Sequence, residues 1–210
     1  MALAGEYRSF LHRSCVKAAD ASHHLKILKA IASYDTAVEA MKKSQFESWE
    51  RARQVAASVK RDAVSRLPEL LEQFEAKAVE NGVEVVWAAD AAEARAAVLD
   101  IARANGVRQA VKSKSMTTEE IELNEALESI GVKIWETDLG ELIVQLAHER
   151  PYHIVTPAMH KSRAEIGELF HRTLGTPLTD NAEELTQAAR VHLREAFCSA
   201  ELGITGANFL

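Results

Sequence analysis

Three short segments hold most of the side chains able to do chemistry. Lys112-Ser113-Lys114-Ser115-Met116-Thr117 places two ammonium groups around a serine, directly before a helix start. Free backbone N–H groups and the positive end of a helix dipole favour an anion there. The two lysines add point charges suited to carboxylate or phosphate. Two solvated lysines beside an ordinary cap would give the same pattern. The run is neither a Walker A loop nor a Gly-x-Gly-x-x-Gly fingerprint. Glu136-Thr137-Asp138-Leu139-Gly140-Glu141 sets three carboxylates within six residues, and these repel one another unless a cation lies close. Asp138 and Glu141 fit a helix cap and its box partner. Glu136 has no such role and is the better candidate for acid–base or ligand-binding work. Thr156-Pro157-Ala158-Met159-His160-Lys161 offers His160 for proton transfer or anion binding, with Lys161 beside it. Taken alone, His160 reads more simply as a surface histidine.

Two weaker signals complete the set. Glu120 and Asn124 are four apart and share a helix face that follows the lysine run. Gly203-Ile204-Thr205-Gly206 exposes backbone and makes a second anion cradle. His148, His153 and His171 are spaced too irregularly for a metal site, and His23-His24 fits a solvated helix face. Cys15 and Cys198 are far apart and in no motif, so a disulfide framework or a four-cysteine cluster within this chain is excluded. Both read as inert thiols of a reducing compartment, and the chain is expected to be cytoplasmic.

These residues need a scaffold, and the chain has room for one. It has 210 residues, 47% of them hydrophobic and 27% charged, which is ordinary for a globular domain. No segment approaches the roughly 20 apolar residues of a membrane span, and the N-terminus has no apolar signal region. The net charge is −6, which argues against broad nucleic-acid binding. Residues 1–80 hold 13 basic and 11 acidic side chains, and residues 81–210 hold 12 and 20. The chemistry-bearing segments thus lie in the acidic part.

Residues 16–80 read as helix only, near 17–42, 45–66 and 69–80, with Ser44-x-x-Glu47 as a capping box and Pro68 at a helix junction. The rhythm then changes. Strands are expected at 83–87, 107–111, 132–135 and 153–155. Between and after them fall helices capped by Asp90-x-x-Glu93, Thr117-x-x-Glu120, Asp138-x-x-Glu141 and Asp180-x-x-Glu183, with another helix near 162–172. The helix after Thr117 is expected to run to Ile130. A glycine loop leading into a last strand closes the chain. Strands alternating with helices predict an α/β fold of three layers, a mostly parallel sheet between helices. Ligands in such sheets bind outside the carboxyl ends of the strands. The expected organisation is a helical region over 1–81 that packs on an α/β core over 82–210.

The chain resembles the lactate-utilization (LUD) domain family. The resemblance rests on Val111 to Asn124, Glu136 to Gln145, His153 to Lys161 and Gly203 to Phe209, with Trp49-Glu50 and Arg53 in the helical part. It is nearest to the iron–sulfur subunit of an L-lactate oxidation complex. The resemblance implies a fold like that of ribose-phosphate isomerases and CoA-transferases. It also implies a part in oxidising L-lactate to pyruvate alongside other subunits of a lactate-oxidation complex. It implies 4Fe–4S clusters only in a cysteine-rich C-terminal region that this sequence lacks, so the chain is expected to be the N-terminal portion of a longer protein. The family's catalytic residues do not carry over individually. The site expected from the residues is Glu136 and His160 for proton transfer, with Lys112, Lys114, Ser115, Glu120, Asn124, Asp138, Glu141, Lys161, Gly203 and Gly206 binding a small carboxylate or other anion. The competing reading is a non-catalytic subunit-interaction domain. Acyl or phosphosugar chemistry at Glu136, suggested by the superfamily alone, is the weakest reading, because a fold does not fix a function.

Overall fold

The structure, a computed structural model, describes residues 2–206. The chain forms two compact units, one of residues 30–88 and one of the residues up to Lys29 together with those from Ala89 onward. The smaller unit is helical. It holds most of α2 (Ala21–Gln45), then α3 (Trp49–Ser65) and α4 (Leu67–Glu80). Pro68 stands in the first turn of α4, where its missing N–H is harmless. The capping box expected at Ser44 does not form. Helix α2 continues through Ser44, whose hydroxyl donates back to the Met41 carbonyl, and Ser48 caps α3 instead. Residues 83–87 form no strand. They have the composition of one but no ladder partner, and Trp87 Nε1 donates to Glu75 instead.

The larger unit opens with α1 (Ala2–Ala19) and the start of α2. It continues through α5 (Ala91–Ala104), β1 (Gln109–Lys112), α6 (Met116–Glu120), α7 (Leu123–Ser129), β2 (Lys133–Glu136), α8 (Leu139–Leu146), α9 (Arg163–Leu174), α10 (Ala182–Ser199) and β3 (Leu202–Ile204). The three strands pair in parallel, in the order β2-β1-β3. Helices cover both faces, so the α/β expectation holds. Ala110 and Ile134 pack with Ala102, Leu123 and Leu127 on the α5–α7 face. Trp135 packs with Leu142, Phe170 and Ala189 on the α8–α10 face. Leu127, Leu142 and Phe170 are fully buried, each contributing about 1.5–3 kcal/mol by leaving water. Among the described residues, no helix is long and apolar enough to cross a membrane.

Four further expectations change at this level. The helix after the lysine run breaks at Ile121–Glu122, where Glu122 takes φ +52°, giving α6 and α7 in place of one helix. Ser115, not Thr117, caps α6, and Asn181, not Asp180, caps α10. Residues 153–155 form no strand, because His153 Nδ1 accepts the N–H groups of Val155 and Thr156 and turns the chain locally. β3 takes in Gly203 and Ile204, the first half of the segment read as a glycine loop, and the strand expected after that loop falls on residues 207–210, which lie outside the described residues.

One long-range tie bears on pH. Lys26 of α2 pairs with Glu165 of α9 at 2.7 Å. The Lys26 ammonium and the Ser162 hydroxyl and N–H hold the Glu165 carboxyl down to about 2. The folded value lies below the ordinary 4.5. The stabilisation is therefore complete above that ordinary value and is lost as pH falls from there toward 2. Both side chains are partly exposed, so solvent limits the effect to about 1 kcal/mol. Lys26→Met is expected to cost about that much at neutral pH and almost nothing near pH 2, measured by guanidinium unfolding across that range.

Candidate functional site

Strand register builds the site. Lys112 ends β1 directly opposite Glu136, which ends β2. Side chains alternate along a strand, so both project on the face that carries Ala110 and Ile134, just beyond the apolar core. There the Lys112 ammonium meets Glu136 Oε1 at 2.9 Å, with the two side chains 1% and 7% exposed. Lys112 also donates to Thr118 Oγ1, and Asn124 Nδ2 donates to Glu136 Oε1 at 2.7 Å. The β2 end is fixed from the other side by Gln145 of α8. Its Oε1 accepts the Glu136 N–H and its Nε2 donates to the Ile134 carbonyl.

Lys114 pairs with Glu141 Oε1, a buried carboxylate in the first turn of α8. Asp138 caps α8 by accepting the Glu141 N–H, so its side chain serves the helix. Ser115 is buried and caps α6. Gly206 approaches it so closely that a Cβ there would overlap the Ser115 Cβ and Oγ. This close approach brings the glycine loop beside the lysine loop, with Ser113 Oγ donating to Thr205 Oγ1 at 3.0 Å. Gly203 lies opposite Val111 in the ladder and is exposed.

A cleft of about 690 Å³ opens beside this cluster. Thr118, Glu119, Asn124, Glu136, Glu141 and Gln145 line one part of it, and residues 148–154 another. Neither Lys112 nor Lys114 lines it. The lysine run and the acidic run pair directly as lysine–glutamate ion pairs, and the cleft presents carboxylates. Burial pushes the Glu119 carboxyl up, and Glu141 adds to this, while Lys112 and Lys114 act against both.

His160 stands apart from this cleft. Its Nε2 pairs with Glu149 Oε2 at 2.7 Å, and Lys161 holds the other oxygen of the same carboxylate. Burial opposes ionisation of Glu149, but Lys161 and His160 outweigh it and lower its pKa. The His160 ring stacks on Tyr152, whose hydroxyl hydrogen-bonds His23. Glu149, Tyr152 and His160 border a second cleft of about 910 Å³ beside α1.

Of the residues expected at the site, the structure joins Lys112, Lys114, Ser115, Asn124, Glu136, Asp138, Glu141 and Gly206. His160 and Lys161 form a separate cluster around Glu149, and Glu120 is exposed while its neighbour Glu119 lines the cleft. Sequence reasoning missed Thr118, Glu119 and Gln145. Gln145 carried a signal: it lies four residues after Glu141, so the two polar side chains share one face of an otherwise apolar helix. Cys15 and Cys198 are exposed, and no group of three metal-ligating side chains occurs among the described residues. These residues do not offer the donor set of an iron–sulfur cluster.

The fold and site together define a helix-flanked parallel α/β domain whose adjacent strand ends are locked by lysine–glutamate pairs. The LUD domain family matches residues 71–210, and the chain belongs to that family. It is 40% identical to a Lactate utilization protein B of Bacillus pumilus over 166 residues, 79% of this chain and 35% of that protein. A Lactate utilization protein B of Bacillus licheniformis is 41% identical over the same shares. The uncharacterized electron transport protein YkgF of Escherichia coli is 39% identical over 184 residues, 86% of this chain and 39% of that protein. The chain thus spans little more than a third of the length of these relatives. No solved structure matches it.

Proposed function

We propose that this chain supplies the LUD-domain part of a cytoplasmic iron–sulfur oxidoreductase component that works in oxidising L-lactate to pyruvate. In this reading a small carboxylate binds at the carboxyl ends of β1 and β2. The observation that carries it is the convergence of two lysines and two glutamates on adjacent parallel strand ends, in a chain whose relatives are named for lactate utilization. Lys114 is the partly exposed cation of the pair and contacts the ligand carboxylate, beside Ser115 and the Gly203–Gly206 loop. Glu136 receives the hydroxyl proton on Oε2, which has no partner among the described residues. The Cα hydrogen and the two electrons must go to an acceptor that the described residues do not supply, and in this reading that acceptor belongs to another subunit of the lactate-oxidation complex.

Calorimetric titration with L-lactate and with pyruvate tests this. Binding at millimolar ligand is expected, weakened about tenfold in Lys114→Ala, the change that loss of one charge-assisted contact of about 1.4 kcal/mol produces. No binding at that concentration, or unchanged binding in the variant, removes the reading.

A second reading has its own observation. Val55, Val59, Val64, Leu67, Phe74 and Val79 of α3 and α4 are all exposed, as on a surface that docks another subunit. Co-purification with lactate-oxidation partners tests it, and assembly retained after deletion of residues 1–80 would sink it.

A further inference from the structure

The cleft beside β2 is larger and more acidic than a three-carbon acid requires. Its volume, about 690 Å³, falls within the range of sites for ligands of several hundred daltons. Seven glutamates line it against a single arginine, Arg150, and no lysine. Three of the seven are engaged elsewhere: Glu136 with Lys112, Glu141 with Lys114, and Glu149 with Lys161 and His160. Glu122, at the break before α7, and Glu125 and Glu128, three apart on α7, all line the cleft.

The second observation lies at the buried end of the cleft. The Glu136 side chain is 7% exposed, and its Oε2 has no hydrogen-bond partner among the described residues. Asn124 Oδ1, on the residue bonded to the same carboxylate, is also buried and unpartnered. The Asn124 amide cannot turn to repair this, because its Nδ2 is committed to Glu136 Oε1 and a flip would set oxygen against oxygen. Two acceptors therefore stand unmatched on neighbouring side chains that line one cleft. A hydroxyl carries one proton and satisfies one of them. A primary ammonium carries three donors and satisfies both.

We infer that this cleft is a binding site for a small organic polyamine, with one primary ammonium between Glu136 Oε2 and Asn124 Oδ1 and its second cation along Glu122, Glu125 and Glu128. This goes beyond the lactate reading and does not rest on it; both use Glu136 Oε2, so a diamine and lactate exclude each other there. Lactate binding or its absence is read in its own titration, through Lys114.

The test compares two dications of equal chain length on the wild-type chain by calorimetry. One is 1,6-diaminohexane, which has N–H donors. The other is hexamethonium, which has none. The diamine is expected to bind at least about tenfold more tightly, since only it satisfies the buried acceptors. Asn124→Leu and Glu136→Gln are each expected to weaken the diamine by about tenfold or more while leaving hexamethonium nearly unchanged. Should Glu136→Gln fail to fold, Glu125→Gln/Glu128→Gln changes only exposed side chains. It is expected to weaken the diamine about threefold or more through lost charge. Equal binding of the two dications, absence of diamine binding at about 10 mM, or undiminished binding in the folded variants overturns the inference.

Discussion

Lys112→Met is expected to destabilise the chain by about 3–5 kcal/mol, because it strands the buried Glu136 carboxylate. Lys112 is 1% exposed and makes two side-chain contacts, to Glu136 and to Thr118. Removing the ammonium leaves Glu136 Oε1 with only Asn124 as donor and Oε2 with none. For a domain of this size the loss amounts to about 10 °C or more in Tm, and a large share of a total stability of about 5–15 kcal/mol. Guanidinium unfolding of Lys112→Met, Glu136→Met and the double variant measures it. The double variant replaces the pair by apolar side chains of similar length and is expected to recover most of the loss, since buried pairs gain little over well-packed apolar replacements. A single variant within about 0.5 kcal/mol of wild type would mean that the pair does not carry the strand ends. The size of this effect also governs how ligand experiments are designed. A change at Lys112 confounds folding with binding, and Lys114→Ala also unpairs a buried glutamate, Glu141, so binding in that variant is read together with its thermal unfolding.

The same pair shows how far the sequence is legible. Lys112, Lys114, Glu136 and Glu141 stand out because charged residues directly after apolar strands have few structural reasons to be there. Their partners follow from parallel register, which sets residue 112 opposite 136. What the sequence does not display is where each charge points. Alternation along β1 and β2 turns Lys112 and Glu136 toward each other, so a run that reads as an anion site becomes a set of internal counter-ions. The cleft outside them is acidic for that reason. His160 is expected above the sheet only because residues 153–155 have the composition of a strand. With no strand there, the loop turns instead on His153, and His160 meets Glu149. Val83 to Trp87 fail in the same way. Strand composition records what fits a pleated surface, while a strand exists only where another offers backbone partners, and such pairing lies far away in sequence. Helices, whose hydrogen bonds are local, fall within a few residues of where the sequence puts them, except α1 over Ala2–Ala19, which is not among the expected helices, and the single helix expected after Thr117, which divides into α6 and α7. Their starts move by one to four residues because several cap-forming side chains lie close together, such as Ser115 beside Thr117 and Asp180 beside Asn181.

Gly167→Ala is expected to destabilise the chain by about 3 kcal/mol, against the sign that helix propensity alone predicts. Gly167 lies inside α9, where replacing glycine by alanine ordinarily gains about 0.5–1 kcal/mol. Here a Cβ would fall on the Thr179 backbone carbonyl, inside any allowed contact. The obstacle is main chain and not the end of a flexible side chain, so relief requires the 176–181 segment to move. That segment leads directly into α10, whose cap Asn181 holds the N–H groups of Glu183 and Glu184. Displacing it disturbs the packing of Leu185 and Ala189 against Leu169 and Phe170. Overpacking in a filled core costs about 1–3 kcal/mol, and more when backbone must shift, which outweighs the propensity gain. Because α8 belongs to the same cluster through Leu142 and Ile143, the strain reaches the helix that carries Glu141 and Gln145. Thermal unfolding measures the stability change. The expected companion is looser protection of the Glu136 N–H, which Gln145 holds, read by hydrogen exchange. A Gly167→Ala chain as stable as wild type would show that α9 does not approach the 176–181 segment this closely.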